Sequence, residues 1–205
     1  MDDATVWAYV DQQRVDLADF LDTLTPQQWR TPSLCEGWTV REVAVHIVQS
    51  TASRPRLVFE LLRSGFRFNA MIFRVARDPR TPQEIAEAMR ALVGNRRRPP
   101  GTAVADPLMD ILVHGQDIAI PLGVERAMPI PAAVIAANRL WTMGFPFNAR
   151  KRFPQTRFVA TDADFSIGEG TEVPGRIQDI VMTLAGRPAA LPLHQQGNSE
   201  RGRRV

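Results

Sequence analysis

The stretch Leu24-Thr-Pro-Gln-Gln-Trp-Arg-Thr-Pro-Ser-Leu-Cys-Glu-Gly-Trp-Thr-Val-Arg-Glu-Val-Ala-Val-His46 contains two helix-start signals in succession. Thr25 with Gln28, and Thr39 with Glu42, have the spacing of a capping box, in which each side chain bonds the backbone N–H of the other residue. The stretch therefore predicts a short helical turn after residue 25. It also predicts a longer helix over residues 39–52, and that helix carries His46.

Apolar residues at helical spacing continue on both sides of this stretch and predict a mainly α protein. Val6, Val10 and Leu17 recur on one face of a first helix over residues 3–23. Capping residues, prolines and glycines delimit the later helices, for which the predicted ranges are 55–77, 82–93, 106–122 and 131–143.

The sequence changes character after residue 150. Residues 157–161 and 164–167 are typical of two short strands around a turn, and residues 173–185 predict a helix that Gly186 ends. We therefore expect a helical bundle over residues 1–150. A small α/β C-terminal extension with a flexible basic tail is expected over residues 151–205.

The charge composition argues against a nucleic-acid-binding protein. The chain has 205 residues, 25 Lys plus Arg against 22 Asp plus Glu, and a net charge of +3. All the basic residues except Lys151 are arginines, so the isoelectric point of about 9.9 reflects how hard Arg is to deprotonate. Two of the three net positive charges lie in residues 200–205. No basic face for phosphates is expected.

Neither a membrane span nor a secreted, disulfide-bonded protein is expected. The longest stretch without a charged residue, 127–138, has 12 residues, well short of the roughly 20 that a bilayer requires. The single cysteine excludes an internal disulfide, and the N-terminus Met-Asp-Asp-Ala has no apolar signal core. These features favour a cytoplasmic location.

One predicted helix carries a stripe of groups that bind metals. Asp110 precedes His114 by four residues and Asp117 follows it by three, so the three side chains span about 60° of the helix. This is the spacing at which two side chains of one helix ligate a metal ion. It is also the spacing of an exposed ion pair. Because the stripe lies opposite the apolar face, periodicity alone favours a solvated face, and a metal site requires a cleft.

His46 and Cys35 are two further residues for which a structural role and a chemical role are both open. His46 falls between the polar edge and the apolar edge of its helix, as expected either of a half-buried histidine bonded to a neighbour or of a ligand. Cys35 could be a nucleophile, but a free cysteine is more often a small buried apolar residue, and we assign it a structural role.

Five segments in the same order resemble the mycothiol-dependent maleylpyruvate isomerase family, which belongs to the DinB-like group of metal-binding four-helix bundles. The first is the stretch from Leu24 to His46. The others are Val113-His-Gly-Gln-Asp-Ile-Ala-Ile-Pro-Leu-Gly123, Leu140-Trp-Thr-Met-Gly-Phe-Pro-Phe147, Ala160-Thr-Asp-Ala-Asp-Phe-Ser-Ile-Gly-Glu-Gly170 and Leu184-Ala-Gly-Arg-Pro188. The resemblance covers nearly the whole chain.

The resemblance implies a DinB-like four-helix bundle that holds a divalent metal, zinc with nickel as the alternative. Matched residue by residue, the ligands are His46, Asp110 and His114. The family's middle ligand is usually Glu or His, and Asp is one methylene shorter than Glu, so Asp117 or water is the alternative third ligand. If Asp110 is the ligand, Asp117 is the candidate for orienting a histidine.

Three protein ligands leave one position open on a tetrahedral ion, as in catalytic zinc sites. The resemblance therefore implies a metal-dependent isomerase or thiol S-transferase, with mycothiol as co-substrate and a small electrophile as the other partner. A homodimer is a further expectation. The alternatives are a non-catalytic metal- or ligand-binding DinB-like stress protein and a purely structural domain. The sequence does not single out a substrate-binding arginine.

Overall fold

The computed structural model describes residues 2–50, 78–98, 101–187 and 191. The helix predicted over residues 55–77 lies outside the described residues, as does nearly all of the basic tail. Within the described part, the elements are α1 (Asp3–Asp22), α2 (Val40–Gln49), α3 (Pro82–Arg90), α4 (Ala105–Ala119), α5 (Ile130–Thr142), α6 (Ala149–Arg152), β1 (Thr156–Ala160), β2 (Ser166–Gly168), β3 (Thr171–Gly175) and α7 (Ile177–Leu184). Short 3-10 turns occupy Gln28–Arg30 and Ile120–Leu122.

The predicted capping boxes start α2 and α3. The backbone N–H of Thr39 donates to Glu42 at 2.8 Å, and the N–H of Glu42 donates to the Thr39 hydroxyl at 3.4 Å. Thr81 and Glu84 repeat this exchange at 2.7 and 3.3 Å. Because each box satisfies backbone donors that the helix leaves unpaired, both helices begin where the sequence predicts.

Helix α4 lies at the centre of the described bundle, where it packs against α1, α2 and α5. It contributes Ile111 and Ile118 to a core shared with α1, α2 and α3. It also contributes Leu108 and Leu112 to a second core, shared with α1, α5, α7 and β1. A helix that buries side chains in two cores has little surface left for solvent, so its polar groups lie near other elements.

The prediction of a helix over residues 173–185 is wrong at its start. The structure has a three-stranded sheet in the order β2-β1-β3, in which β3 pairs parallel with β1 and places Val173 opposite Phe158. Pro174 is tolerated because β3 is an outer strand of this sheet. Helix α7 begins only at Ile177, whose N–H donates to Asp162 at 2.7 Å. Pairing with a strand 15 residues earlier overrides the local helical pattern.

The described segments on the two sides of residue 150 lie close together. The short helix α6 spans the predicted boundary itself. Phe158 of β1 is fully buried in the core that α1, α4, α5 and α7 share. The boundary at residue 150 stays a prediction, but the described segments on its two sides share this core. Among the helices of the described residues, none has the length and apolar character needed to cross a membrane.

Candidate metal centre

Three potential ligands come together where α2 packs against α4. His46 lies on α2, while Asp110 and His114 lie one turn apart on α4. The imidazole rings of His46 and His114 stand nearly perpendicular, with centroids 4.9 Å apart. Trp38, just before the cap of α2, contacts the His46 ring edge-on at 5.4 Å. Helices α2 and α4 thus position the two histidines, and Trp38 in the loop before α2 contacts the His46 ring.

The spacing of these groups suits a metal ion. Asp110 Oδ1 lies 3.5 Å from Nε2 of His114 and 3.8 Å from Nε2 of His46, and one ligand atom from each residue lies within 4.8 Å of the others. These distances exceed those of ordinary hydrogen bonds. A tetrahedral ion with bonds of about 2.0 to 2.1 Å separates its ligands by about 3.3 Å. The donor set, two imidazoles and a carboxylate, therefore fits a small divalent ion.

The three side chains are partly open to solvent. The exposed fractions are 25% for His46, 26% for Asp110 and 16% for His114. A small ligand can therefore reach the groups from one side, while α2 and α4 enclose them from the other. The three groups are thus neither fully solvated nor fully buried, as a metal site that admits a ligand requires.

Asp117 holds the imidazole of His114 from the side opposite Asp110. Its carboxylate is fully buried, and Oδ2 lies 2.9 Å from Nδ1 of His114. Because an ionised carboxylate only accepts hydrogen bonds, Nδ1 is the nitrogen that carries the proton. In the neutral ring the lone pair then lies on Nε2, the nitrogen that faces Asp110.

Arg187 compensates the buried charge of Asp117. It donates from Nε to Oδ1 at 2.7 Å and from Nη2 to Oδ2 at 2.5 Å. Burial acts to raise the pKa of Asp117, but the hydrogen bonds from Arg187 and His114 outweigh it and hold this pKa below its ordinary value. Asp117 is therefore ionised at neutral pH.

The turn that ends α7 brings Arg187 to this position. Gly186 adopts φ +80°, a left-handed conformation that glycine tolerates best. The N–H of Arg187 then donates to the carbonyl of Met182 at 3.0 Å, which closes the helix end. The guanidinium thus reaches a residue 70 positions earlier in the chain.

Cys35 belongs to the same polar cluster. Its Sγ donates to Asp117 Oδ2 at 3.1 Å, lies 3.7 Å from Nδ1 of His114 and accepts from Nη2 of Arg187 at 3.5 Å. Burial first, and then the charge of Asp117, raise the pKa of Cys35 to about 12. The thiol is therefore neutral at pH 7, which agrees with a structural role.

Cys35, His114 and Asp117 form a second group of potential ligands, also within 4.8 Å of one another. The two groups share His114. In the second group, however, the guanidinium of Arg187 bonds both carboxylate oxygens and contacts the sulfur. A positive charge already occupies this group, which makes it the less suitable of the two groups for a cation.

Compared with the sequence predictions, the structure brings His46, Asp110 and His114 together. The interpretation of the stripe as a solvated face is wrong for Asp117, because Cys35 and Arg187 cover its carboxylate. Arg187 is the residue that sequence reasoning missed. Its only signal was its place in the segment Leu184-Ala-Gly-Arg-Pro188, which does not connect it to Asp117.

A comparison with known protein families matches an N-terminal part of the chain. Residues 10–93 match the family model described as "Mycothiol maleylpyruvate isomerase N-terminal domain". The match includes Cys35 and His46, whereas Asp110, His114, Asp117 and Arg187 lie beyond it. No curated protein and no solved structure matches the chain.

This domain is a DinB-like helical domain, and the described residues form helices with one small sheet. The prediction of a mainly α, DinB-like protein with a small α/β C-terminal part is therefore confirmed. The match over residues 10–93 supports the resemblance to the mycothiol-dependent maleylpyruvate isomerase family that the sequence motifs indicated.

Proposed function

We propose that this chain binds one divalent metal ion through His46, Asp110 and His114 and acts on a small electrophile with a low-molecular-weight thiol such as mycothiol. The observation that carries the proposal is the triad itself, whose ligand atoms are spaced for an ion and whose His114 is oriented by Asp117. The family of residues 10–93 supports the choice of thiol.

The ligand set favours zinc, with nickel as the alternative, because imidazole nitrogens and one carboxylate suit both ions. A bound ion would supply a Lewis acid that lowers the pKa of a thiol co-substrate. Asp110 contributes one negative charge, and Asp117 selects the tautomer of the neutral His114 ring in which the lone pair lies on Nε2. His46 is held edge-on by Trp38.

The reacting sulfur comes from the co-substrate in this proposal. Cys35 keeps its proton and directs it to Asp117, so the chain's own thiol is a poor nucleophile. The thiolate of the co-substrate forms a C–S bond to an electrophilic carbon of the substrate as the π bond of the substrate's double bond breaks. Release of the thiol after bond rotation gives isomerisation, and retention of the adduct gives S-transfer.

The first test is metal content. Purified wild-type protein should contain close to one zinc or nickel ion per chain by plasma mass spectrometry. His46→Ala and His114→Ala should lose it, whereas His194→Ala, a change at the remaining histidine of the sequence, should keep it. Wild-type protein that binds no divalent ion would overturn the proposal.

The second test separates an enzyme from a binding protein. Consumption of mycothiol is measured against a panel of small electrophiles, including cis-alkenes and epoxides, with loaded and metal-free protein. The proposal expects a metal-dependent rate for at least one compound. Metal binding without such a rate would favour the non-catalytic metal- or ligand-binding DinB-like protein. Light scattering of the same sample tests the expected homodimer.

A further inference from the structure

The imidazole of His114 lies between two donor groups that use its two different nitrogens. Nε2 lies 3.5 Å from Asp110, and Nδ1 lies near Asp117 and Cys35. We propose that Arg187 determines which group takes up a metal ion, by occupying the Cys35–His114–Asp117 group with its guanidinium. This inference rests on the proposed metal site at His46, Asp110 and His114.

The second group contains every donor that a thiophilic ion needs. Cys35 Sγ lies 3.1 Å from Asp117 Oδ2 and 3.7 Å from His114 Nδ1. A thiol, a carboxylate and an imidazole are the ligand types found in zinc sites, and a sulfur ligand favours soft ions further. Geometry by itself therefore does not exclude metal from this side of His114.

Arg187 is the residue that excludes a metal ion from the Cys35–His114–Asp117 group. Its guanidinium donates two hydrogen bonds to Asp117 and a third to the sulfur of Cys35, while Nη1 donates to the carbonyl of Ala185 at 3.1 Å. A divalent ion bonded to the same carboxylate and sulfur would lie close to this cation in a buried site, where like charges repel strongly. The Arg187 charge thus takes the place that an ion would fill.

Removal of Arg187 should allow a metal ion to bind the Cys35–His114–Asp117 group. The buried carboxylate of Asp117 then lacks its positive partner, which an ion can replace. As the ion binds, a metal–sulfur bond forms, the S–H bond of Cys35 breaks and its proton leaves to solvent. The imidazole proton moves from Nδ1 to Nε2 so that Nδ1 can bind the ion. Because Nε2 then carries the proton, it can no longer bind an ion in the His46–Asp110–His114 group. Only one of the two groups can therefore hold a metal ion at a time.

The experiment uses Co²⁺ alone as the probe, because a thiolate ligand gives Co²⁺ a strong charge-transfer absorption in the near ultraviolet that imidazole and carboxylate do not. Wild-type protein should bind Co²⁺ without this band. His46→Ala disables the first group while Arg187 still blocks the second, so it should bind Co²⁺ weakly and without the band. The double variant His46→Ala/Arg187→Gln should show the band and bind Co²⁺ at least about 10-fold more tightly than His46→Ala.

Further variants assign the band. Adding Cys35→Ser to the double variant should abolish it, and His46→Ala/Arg187→Lys, which keeps the positive charge, should lack it. A folded double variant without the band would overturn the inference, folding being checked by circular dichroism. If Arg187→Gln prevents folding, the His46→Ala variant still decides, because a thiolate band in the presence of Arg187 contradicts the inference. Absence of metal from wild-type protein instead contradicts the proposed function.

Discussion

The fully buried carboxylate of Asp117 accepts a hydrogen bond from Nδ1 of His114 at 2.9 Å, while Asp110 lies 3.5 Å from Nε2 on the other side of the same ring. Asp117 thus positions the His114 ring through Nδ1, and Nε2 of the same ring faces Asp110.

Asp117→Asn should weaken metal binding by about 10- to 100-fold, because the amide no longer fixes the His114 tautomer as the carboxylate does. Competition with a chelator of known affinity measures the change. Asp164→Asn, at an exposed position, is the matched control and should bind as wild type does. Equal affinities for the Asp117→Asn variant and wild type would mean that Asp117 does not position the ligand.

Metal removal should lower thermal stability. An ion that binds only the folded state at 100 times its dissociation constant contributes about 2.7 kcal/mol to the free energy of unfolding. Calorimetry with zinc, and again after extraction with a chelator, should therefore show a lower Tm for the metal-free protein. His46→Ala should show no zinc-dependent shift, and a shift as large as that of wild type would place the ion elsewhere.

Acid should destabilise the metal-free protein through Asp117. The folded pKa of this carboxyl lies below its unfolded value of about 3.9, so its contribution to stability is present above about pH 4 and is lost as the pH falls toward the folded pKa. Urea unfolding with a chelator present should show wild type more stable than Asp117→Asn at pH 7. This difference should shrink below pH 4, and a difference that grows on acidification would contradict the assignment.

Cys35 should react slowly with thiol reagents in the native protein. A rise in its pKa from 9.0 to about 12 reduces the thiolate fraction at neutral pH by roughly 1,000-fold. The rate of alkylation by iodoacetamide at pH 7.5 should therefore be far lower in native protein than in urea. Similar rates in the two conditions would show that Cys35 is neither protonated nor shielded as the structure indicates.

Phe158→Ala should destabilise the whole described bundle rather than the C-terminal segment alone. The ring is fully buried in a core shared with α1, α4, α5 and α7, so its loss should cost about 3 to 5 kcal/mol. Chemical unfolding should keep one transition at lower denaturant. Phe145→Ala is the control because this ring is 84% exposed, and its effect should stay within about 0.5 kcal/mol. Two separate transitions would instead support independent domains divided near residue 150.

Local chemistry explains which elements the sequence predicts well. The Thr39–Glu42 and Thr81–Glu84 boxes act within four residues, so the starts of α2 and α3 can be recognised without tertiary information. Strand β3 could not be recognised in this way. Residues 173–175 continue a helical pattern, and only hydrogen bonds to β1 make them a strand.

For the site, the sequence alone determined the residue types and the helical spacing that place Asp110, His114 and Asp117 on one stripe of one helix. Tertiary structure decided what each of them does. Packing of α2 against α4 placed His46 beside Asp110, and the turn after α7 placed Arg187 on Asp117. Helical spacing sets only the angles around one axis. Which side of a ring is buried, paired or open depends on groups far away in the chain, which meet only when the core folds.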